Sequence, residues 1–421
     1  MTVHTMSKTI SNILYKLIFK AMDVGGIMSS ASYYVMKLRN NSWHNCKVLP
    51  YFWMDEATVA NQLLLPGCDS ISYGPNFIDT GNAILQNISQ PAVYCRWLAN
   101  VTVSAHSSSI VLGGKTLIIE RCGRDACRSY SYQVRRIVWH GKKNALLKWS
   151  YTTRKIKQGI FLGGNGAFNY YHWLIEILVK CMFLNDIPGE YSAFPLLVSN
   201  DAREIPQFSE MLKIIAKDRE IIWLSKDDIY DVAELVYIDA PNNLPFNVVG
   251  TYRFSAGDFF IRRESIDYLR SVYLTPSHSL DASWSSCPKN IFLCRGNDRR
   301  GYNQNEVKLL LEGMDFVSLD MCELSFMQQV EIFNNADWIV GPTGAAWTNL
   351  VFAKKGLKCL CWMAEGYGEF SAFSNLAVCA GADLRYLTVD AKAPLTSSLY
   401  EASYVLDIEK LKSALTSMWA P

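Results

Sequence analysis

The feature that most constrains this chain is an alternation of short apolar runs and amphipathic stretches that begins near Gln158 and continues almost to its end. GIFLGG, FPLLVS, EIIWLS and ELVYID read as strands, with helical periodicity over Phe168 to Asn185 and again over Ile205 to Ala216. A polar stretch rich in serine and proline, Thr275 to Pro288, marks a linker. Beyond it, NIFLCR, DFVSLD, DWIVGP, LKCLCWM and LRYLTV read as strands. Helices are expected over Asn303–Glu312, Ser325–Asn335, Ala345–Ala353 and roughly Glu369–Ala380, and Glu409 to Trp419 is a final amphipathic helix. Continuous apolar strands separated by helices predict parallel sheets covered on both faces. The expectation is an α/β protein with two doubly wound units in series facing a cleft, and ligands beyond the carboxyl ends of the strands.

The first third has a different rhythm. VYCRWLANVTVSA and SIVLGGKTLIIER read as β-structure, with Gly113-Gly114 as the turn between the last two runs. The expected division is 1–157, an N-terminal helix and β-rich segment belonging with the first unit; 158–274, the first αβ unit; 289–400, the second; and 401–421, the closing helix.

Composition narrows the function class. The 421 residues are 19% charged with a net charge of +2, which implies no nucleic acid partner. The twelve cysteines, Cys122, Cys127, Cys359 and Cys361 among them, lack the spacing of a metal site, so no metal is expected, and thiols of this kind fit a reducing, cytoplasmic compartment. No apolar run is long enough to span a bilayer, and the N-terminus lacks a signal-peptide core. Ile10, Ile13, Leu14, Leu17, Ile18 and Met22 recur at helical spacing beside Lys8, Lys16 and Lys20. That pattern suits a helix packed on the protein body, or a peripheral contact with an anionic membrane face.

Three stretches carry chemistry. In DWIVGPTGAAWTNLVF an apolar strand runs into Gly341, Pro342, Thr343, Gly344 and Ala345 and then a helix. Small residues and a helix N-terminus suit either a seat for a diphosphate, with a hydroxyl from Thr343 or Thr348, or an ordinary strand–helix turn with no ligand. Asn349, on the first turns, is placed either to reach the ligand or to tie down the loop. Upstream, Arg295 ends a strand and is followed by Arg299 and Arg300, either guanidinium forks for phosphate oxygens or a solvated basic loop. Glu306, on the next helix, is placed either to accept ribose hydroxyls or simply to face solvent. In the first unit Gly163-Gly164-Asn165-Gly166 leads into NYYHWLIE, where His172 and Glu176 share a helix face. The pair suits a general base with its orienting partner, although a histidine in an aromatic stretch is also at home in a core.

Taken together and in this order, these stretches resemble glycosyltransferase family 61. NYYHWLIE, from Asn169 to Glu176, matches the family's Asn–aromatic–His–Trp segment. CRGNDRRGYNQNEV matches its arginine-ended strand, arginine pair and helix start, with Arg295, Arg299, Arg300, Asn303 and Glu306. SFMQQVEIF and GPTGAAWTN match the last two motifs. The sequence departs from the pattern at Thr343, which stands where the family has histidine, at Ala346 and Trp347, and at Gln304 and Gln328. The resemblance implies a GT-B-like pair of Rossmann-like domains and an inverting, metal-independent hexosyl or pentosyl transfer. The donor would be a nucleotide-sugar co-substrate, a UDP-sugar first, with no other cofactor. The acceptor would be a glycan or lipid-linked oligosaccharide of a bacterial surface polysaccharide such as capsule or O-antigen. In that picture His172 or Glu176 is the base. Asn169, Arg295, Arg299, Arg300, Asn303, Glu306, Gly341, Thr343, Gly344, Ala345 and Asn349 surround the donor. The Thr343 departure also leaves room for a glycosyltransferase-like scaffold with impaired chemistry. An NAD-dependent oxidoreductase is disfavoured, because no strand is followed by the dinucleotide fingerprint.

Overall fold

The computed structural model describes residues 46–57, 59–78, 83–120, 131–132, 136–140, 143–149, 153–245, 248–249, 254–275, 287–296, 301–364, 367–390 and 403–419. The amphipathic stretch from Lys8 to Met22, the Cys122 and Cys127 pair and the arginines Arg299 and Arg300 lie outside the described residues.

The second half of the chain builds a five-stranded, wholly parallel sheet. Its order is Val317–Asp320, Asn290–Cys294, Trp338–Pro342, Lys358–Ala364 and Asp383–Val389. The first strand in the chain therefore sits second in the sheet. The winding reverses between Asn290–Cys294 and Trp338–Pro342, which makes their carboxyl ends the switch point of the unit. Ile291, Phe292, Ile339, Val340, Leu360 and Trp362 are fully buried. Strands covered on both faces have no solvent side, which is why they read as unbroken apolar runs.

The first half contributes an eleven-stranded mixed sheet. At one end Ile221–Leu224, Leu196–Ser199, Thr153–Leu162 and Ile229–Ile238 run parallel. Val93–Ser104 then pairs antiparallel with Ile229–Ile238, and the sheet continues through Ser107–Leu112, Thr116–Ile119, Cys46–Trp53, Asn144–Lys148 and Ile137–His140. The Gly113-Gly114 turn is formed with both residues at positive φ, 51° and 69°, where glycine carries no Cβ penalty. The β-rich first third is thus continuous with the first αβ unit. Val93–Ser104 covers the edge that Ile229–Ile238 would otherwise expose. A separate hairpin, Cys68–Tyr73 with Leu85–Gln90, reaches the other unit instead. The Tyr73 amide donates to Asn375 Oδ1 at 2.8 Å, and the Ile78 amide donates to the Tyr386 carbonyl at 2.9 Å.

Two helices differ from the regular α-helices that their periodicity predicts. The Phe168–Asn185 region is a short α-turn, Tyr170–His172, then a π-turn, Trp173–Ile177, then a 3₁₀ segment, Leu178–Phe183. Trp173, Leu174, Ile175, Leu178 and Val179 are all fully buried, so core contacts on every side, rather than propensity, set its pitch. Single π-turns of this kind recur at functional sites. The Ala345–Phe352 segment is 3₁₀ throughout.

The two sheets share one core. Tyr273, on the helix Arg263–Tyr273, meets Phe326 and Phe352 edge-on at 4.7 and 5.8 Å. Arg270 on the same helix donates to the carbonyls of Val351 and Ala353 at 2.7 and 2.9 Å, closing the carboxyl end of the 3₁₀ segment. From Pro206–Ala216, Glu210 accepts the amides of Phe326 and Met327, capping the helix Phe326–Asn335. Gln207 donates to the carbonyls of Cys322 and Leu324 beside the end of Val317–Asp320.

Candidate active site

The carboxyl ends of Asn290–Cys294 and Trp338–Pro342 are joined by one side chain. Arg295 Nη2 donates to the Thr343 carbonyl at 2.7 Å, directly across the switch point. The arginine is itself held by its backbone: Gln304 Oε1 accepts the Arg295 amide, and Gln304 Nε2 donates to the Arg295 carbonyl, both at 2.8 Å. A carboxamide can do both, and an ionised carboxylate cannot. This gives a physical role to glutamine at a position where a glutamate would repel the carbonyl.

The glycine-containing turn is equally fixed. The Thr343 amide donates to the Trp362 carbonyl at 2.9 Å, and Trp347 Nε1 donates to the Pro342 carbonyl at 3.0 Å. Trp347 is fully buried. In the adjacent strand the Cys361 thiol donates to the Trp362 carbonyl at 3.8 Å, and burial pushes its ionisation far up. Gly341 lies inside the strand, where a Cβ would come within 2.7 Å of Leu293, so its small size serves strand packing. Gly344 is extended and precedes the 3₁₀ segment. The amides of Gly344 and Ala345 have no acceptor among the described residues. Two unclaimed N–H groups at a helical N-terminus beside a guanidinium are a chemically suitable anion seat.

The other expected donor residues are placed as follows. Asn349 is fully buried: its Oδ1 accepts the Tyr170 hydroxyl at 2.6 Å, and its Nδ2 donates to Gln329 Oε1 at 2.9 Å and the Ala346 carbonyl at 3.2 Å. It ties the 3₁₀ segment to the first unit. Asn303 Nδ2 donates to Glu306 Oε2 at 2.7 Å and to the Leu406 carbonyl at 3.0 Å, while its Oδ1 accepts the Leu406 amide. Asn303 and Glu306 therefore meet each other and hold the approach to the C-terminal helix. Asn169 Oδ1 accepts the Tyr171 amide at 3.0 Å as the cap of the Tyr170–His172 turn.

In the first unit, His172 Nδ1 is hydrogen-bonded to Glu176 Oε2. Glu176 Oε1 also accepts the Leu244 amide at 2.6 Å. His172 is only 4% exposed. Its ring sits against Gly166, which has φ +74° and where a Cβ would lie 2.6 Å from the imidazole. The glycine is required there twice over, by conformation and by contact. The carboxylate fixes the ring's orientation, the arrangement a general base needs.

A second histidine–carboxylate pair, not singled out from the sequence, lies across the same glycine loop. His106 Nε2 is hydrogen-bonded to Asp201 Oδ2, which also accepts the Ser199 hydroxyl at 2.5 Å. Burial alone would raise the Asp201 carboxyl, but hydrogen bonds from His106 and Ser199 outweigh it and hold it down at about 2. The Gly164 amide donates to the Ala105 carbonyl at 3.1 Å, so the loop is pinned between the two pairs. The partners are 95 residues apart, which hides the pair from any local motif. The one available signal is that Asp201 closely follows a strand's carboxyl end.

Among the described residues, no three His, Cys, Asp or Glu side chains converge as a metal site, and no helix is long and apolar enough to cross a membrane. A family model described as Glycosyltransferase 61 matches residues 170–360, a span that contains both His172 and the Arg295–Thr343 bridge. No curated protein matches the chain. The match supports glycosyltransferase family 61 for that segment, and with it glycosyl transfer from a donor to an acceptor.

Proposed function

We propose that this protein is an inverting glycosyltransferase that moves a hexosyl or pentosyl group from a UDP-sugar to a hydroxyl of a glycan or lipid-linked oligosaccharide acceptor. The parallel end of the large sheet acts as the acceptor half, and the five-stranded sheet acts as the donor half, in a GT-B-like arrangement. The observation that carries the reading is the Arg295–Thr343 bridge at the switch point, beside the unclaimed amides of Gly344 and Ala345.

In the transfer, the acceptor oxygen forms its bond to the anomeric carbon from the face opposite the diphosphate. The bond to the diphosphate oxygen breaks, its electron pair leaving with UDP, and the hydroxyl proton passes to a base. His172 takes that proton and Glu176 orients it, since Glu176 meets Nδ1 and is itself anchored on the Leu244 amide. Arg295, with Arg299 and Arg300 in the adjoining segment, carries the charge of the leaving diphosphate together with the amides of Gly344 and Ala345. In this reading, as in the family it resembles, protein groups rather than a metal stabilise the leaving group. The setting is surface polysaccharide assembly at the cytoplasmic membrane face, with the Lys8–Met22 stretch as the contact. Loss of flotation with anionic liposomes on deleting the first 22 residues would support that contact.

One observation favours a second reading. Thr343 stands where the family it resembles has histidine, and a hydroxyl cannot supply positive charge to a leaving diphosphate. A chain that binds nucleotide without transferring sugar is the corresponding alternative. A panel of UDP-, GDP- and CMP-sugars, with nucleotide release followed with and without acceptor glycans, separates the two. Release of UDP that rises with acceptor supports the transferase. Silence with every donor alongside intact UDP binding supports the scaffold, and NADH binding without UDP binding contradicts both.

A further inference from the structure

The turn that bears His172 in the first unit and the turn that bears the Gly344 and Ala345 amides in the second are joined by one buried polar chain. We infer that Tyr170 is a positioning residue for the proposed transfer, holding His172 in register with the donor seat through its hydrogen bond to Asn349; the inference rests on that reading of the reaction.

The chain has a fixed direction. Gln329, 3% exposed, donates through Nε2 to the carbonyls of Met321 and Leu324 at 2.8 and 3.3 Å. Its Oε1 therefore faces the other way and accepts Asn349 Nδ2 at 2.9 Å. That orients the Asn349 carboxamide as well: Nδ2 also donates to the Ala346 carbonyl, and Oδ1 is left to accept. The Tyr170 hydroxyl donates to it at 2.6 Å. Burial raises the ionisation of that phenol far above its ordinary value, so it keeps the proton it donates. Each carboxamide is held on both sides, and neither can turn over without breaking the whole chain.

Both ends of the chain lie next to the proposed chemistry. Tyr170 opens the turn Tyr170–His172. Asn349 lies in Ala345–Phe352, and its bond to the Ala346 carbonyl braces the first turn of that segment, beside the amides of Gly344 and Ala345. One carboxamide thus holds the donor turn with its nitrogen and the base turn with its oxygen. Neither segment is a regular α-helix with a pitch of its own: Ala345–Phe352 is 3₁₀, and the turn bearing His172 runs straight into the π-turn Trp173–Ile177. Tertiary bonds therefore decide where their side chains and amides point. The other cross-unit bonds of this region act elsewhere: Arg270 holds the carboxyl end of the 3₁₀ segment, and Glu210 holds the start of Phe326–Asn335. In-line displacement needs the base and the leaving diphosphate on opposite sides of one carbon, and a small misplacement costs rate rather than affinity.

The test compares two tyrosines. Tyr170→Phe removes the bridging oxygen and keeps the ring against Phe208, 6.2 Å away between centroids. Tyr273→Phe is the control: it deletes a buried hydroxyl at the same junction, one that donates to the Met211 carbonyl at 2.9 Å and bonds to neither turn. In the full chain, acceptor-dependent transfer and acceptor-free hydrolysis of the UDP-sugar are both followed, with UDP affinity and melting temperature measured in parallel. Water is free to adjust to a shifted base turn, and a bound acceptor is not. The expected result is a fall of about tenfold or more in the ratio of transfer to hydrolysis in Tyr170→Phe, with UDP affinity within about twofold of wild type. The ratio should be unchanged in Tyr273→Phe, because lost stability lowers both rates together. Gln329→Met, which releases the Asn349 carboxamide from its other side, is the second variant and should move the ratio the same way as Tyr170→Phe. An unchanged ratio in either folded variant, or an equal fall in Tyr273→Phe, overturns the positioning role. A wild-type protein that transfers to no acceptor removes the transferase reading and this role with it, an outcome distinct from an active wild type whose Tyr170→Phe variant transfers equally well.

Discussion

The two units line the carboxyl ends of their parallel strands with opposite materials. In the five-stranded unit the edge is built mainly from backbone. Gln304 holds both main-chain groups of Arg295, Trp347 holds the Pro342 carbonyl, and the amides of Gly344 and Ala345 have no acceptor among the described residues. In the larger sheet the edge is built from side chains, with His172–Glu176 and His106–Asp201 gripping one glycine loop between them. Fixed dipoles and a guanidinium suit a charge that must be stabilised; oriented imidazoles suit a proton that must be moved. The contrast teaches how, in the proposed transfer, the halves would serve the two ends of one displacement rather than act as duplicates of one binding unit.

The largest effect that can break this comparison is on turnover. His172→Ala should lower transfer by about 10²–10⁴-fold while leaving UDP affinity near wild type. Equal losses in both quantities, measured by coupled nucleotide release and calorimetry, would show that the first unit also holds the donor. Arg295→Ala should act the other way, weakening UDP by about 10- to 100-fold through loss of a charged hydrogen-bonding group. Unchanged affinity in that variant contradicts the phosphate role.

Smaller changes sharpen the account. Gln304→Ala removes the clamp but not the guanidinium, so UDP should weaken less than in Arg295→Ala, by about threefold to tenfold for one or two neutral hydrogen bonds. A loss as large as that of Arg295→Ala would make the clamp, not the charge, the dominant factor. The smallest effect is on acid stability. Burial opposes ionisation of Asp201, but the hydrogen bonds from His106 and Ser199 outweigh it and hold the folded carboxyl at about 2, below the usual carboxylate range, so the folded state binds fewer protons through that window. Its stabilising contribution is present above about pH 4 and is lost as pH falls toward 2. Asp201→Asn should flatten the melting-temperature profile between pH 4 and pH 2, and an identical slope in both proteins counts against the pairing with His106.

Much of the five-stranded unit was legible in the chain because its strands are buried on both faces and its helices are amphipathic. NIFLCR, DFVSLD, DWIVGP, LKCLCWM and LRYLTV all form strands of one sheet. The register-level facts were not legible. That Gly341 is small for Leu293, or that Asn349 meets Tyr170, depends on which strands and helices become neighbours. The irregular helix from Tyr170 to Phe183 was hidden because an apolar stretch reads as α-helix whatever pitch its surroundings impose. His106 was hidden because its partner is distant in sequence; the first third was expected to belong with the first unit, but its pairing through Val93–Ser104 on Ile229–Ile238 leaves no local signature.

The most direct test of the division of labour is amide hydrogen exchange on the intact protein with and without UDP. The account predicts protection concentrated at 295–304 and 343–349, with residues 163–176 unchanged until an acceptor saccharide is added. Protection by UDP at 163–176 with none at 343–349 would contradict it.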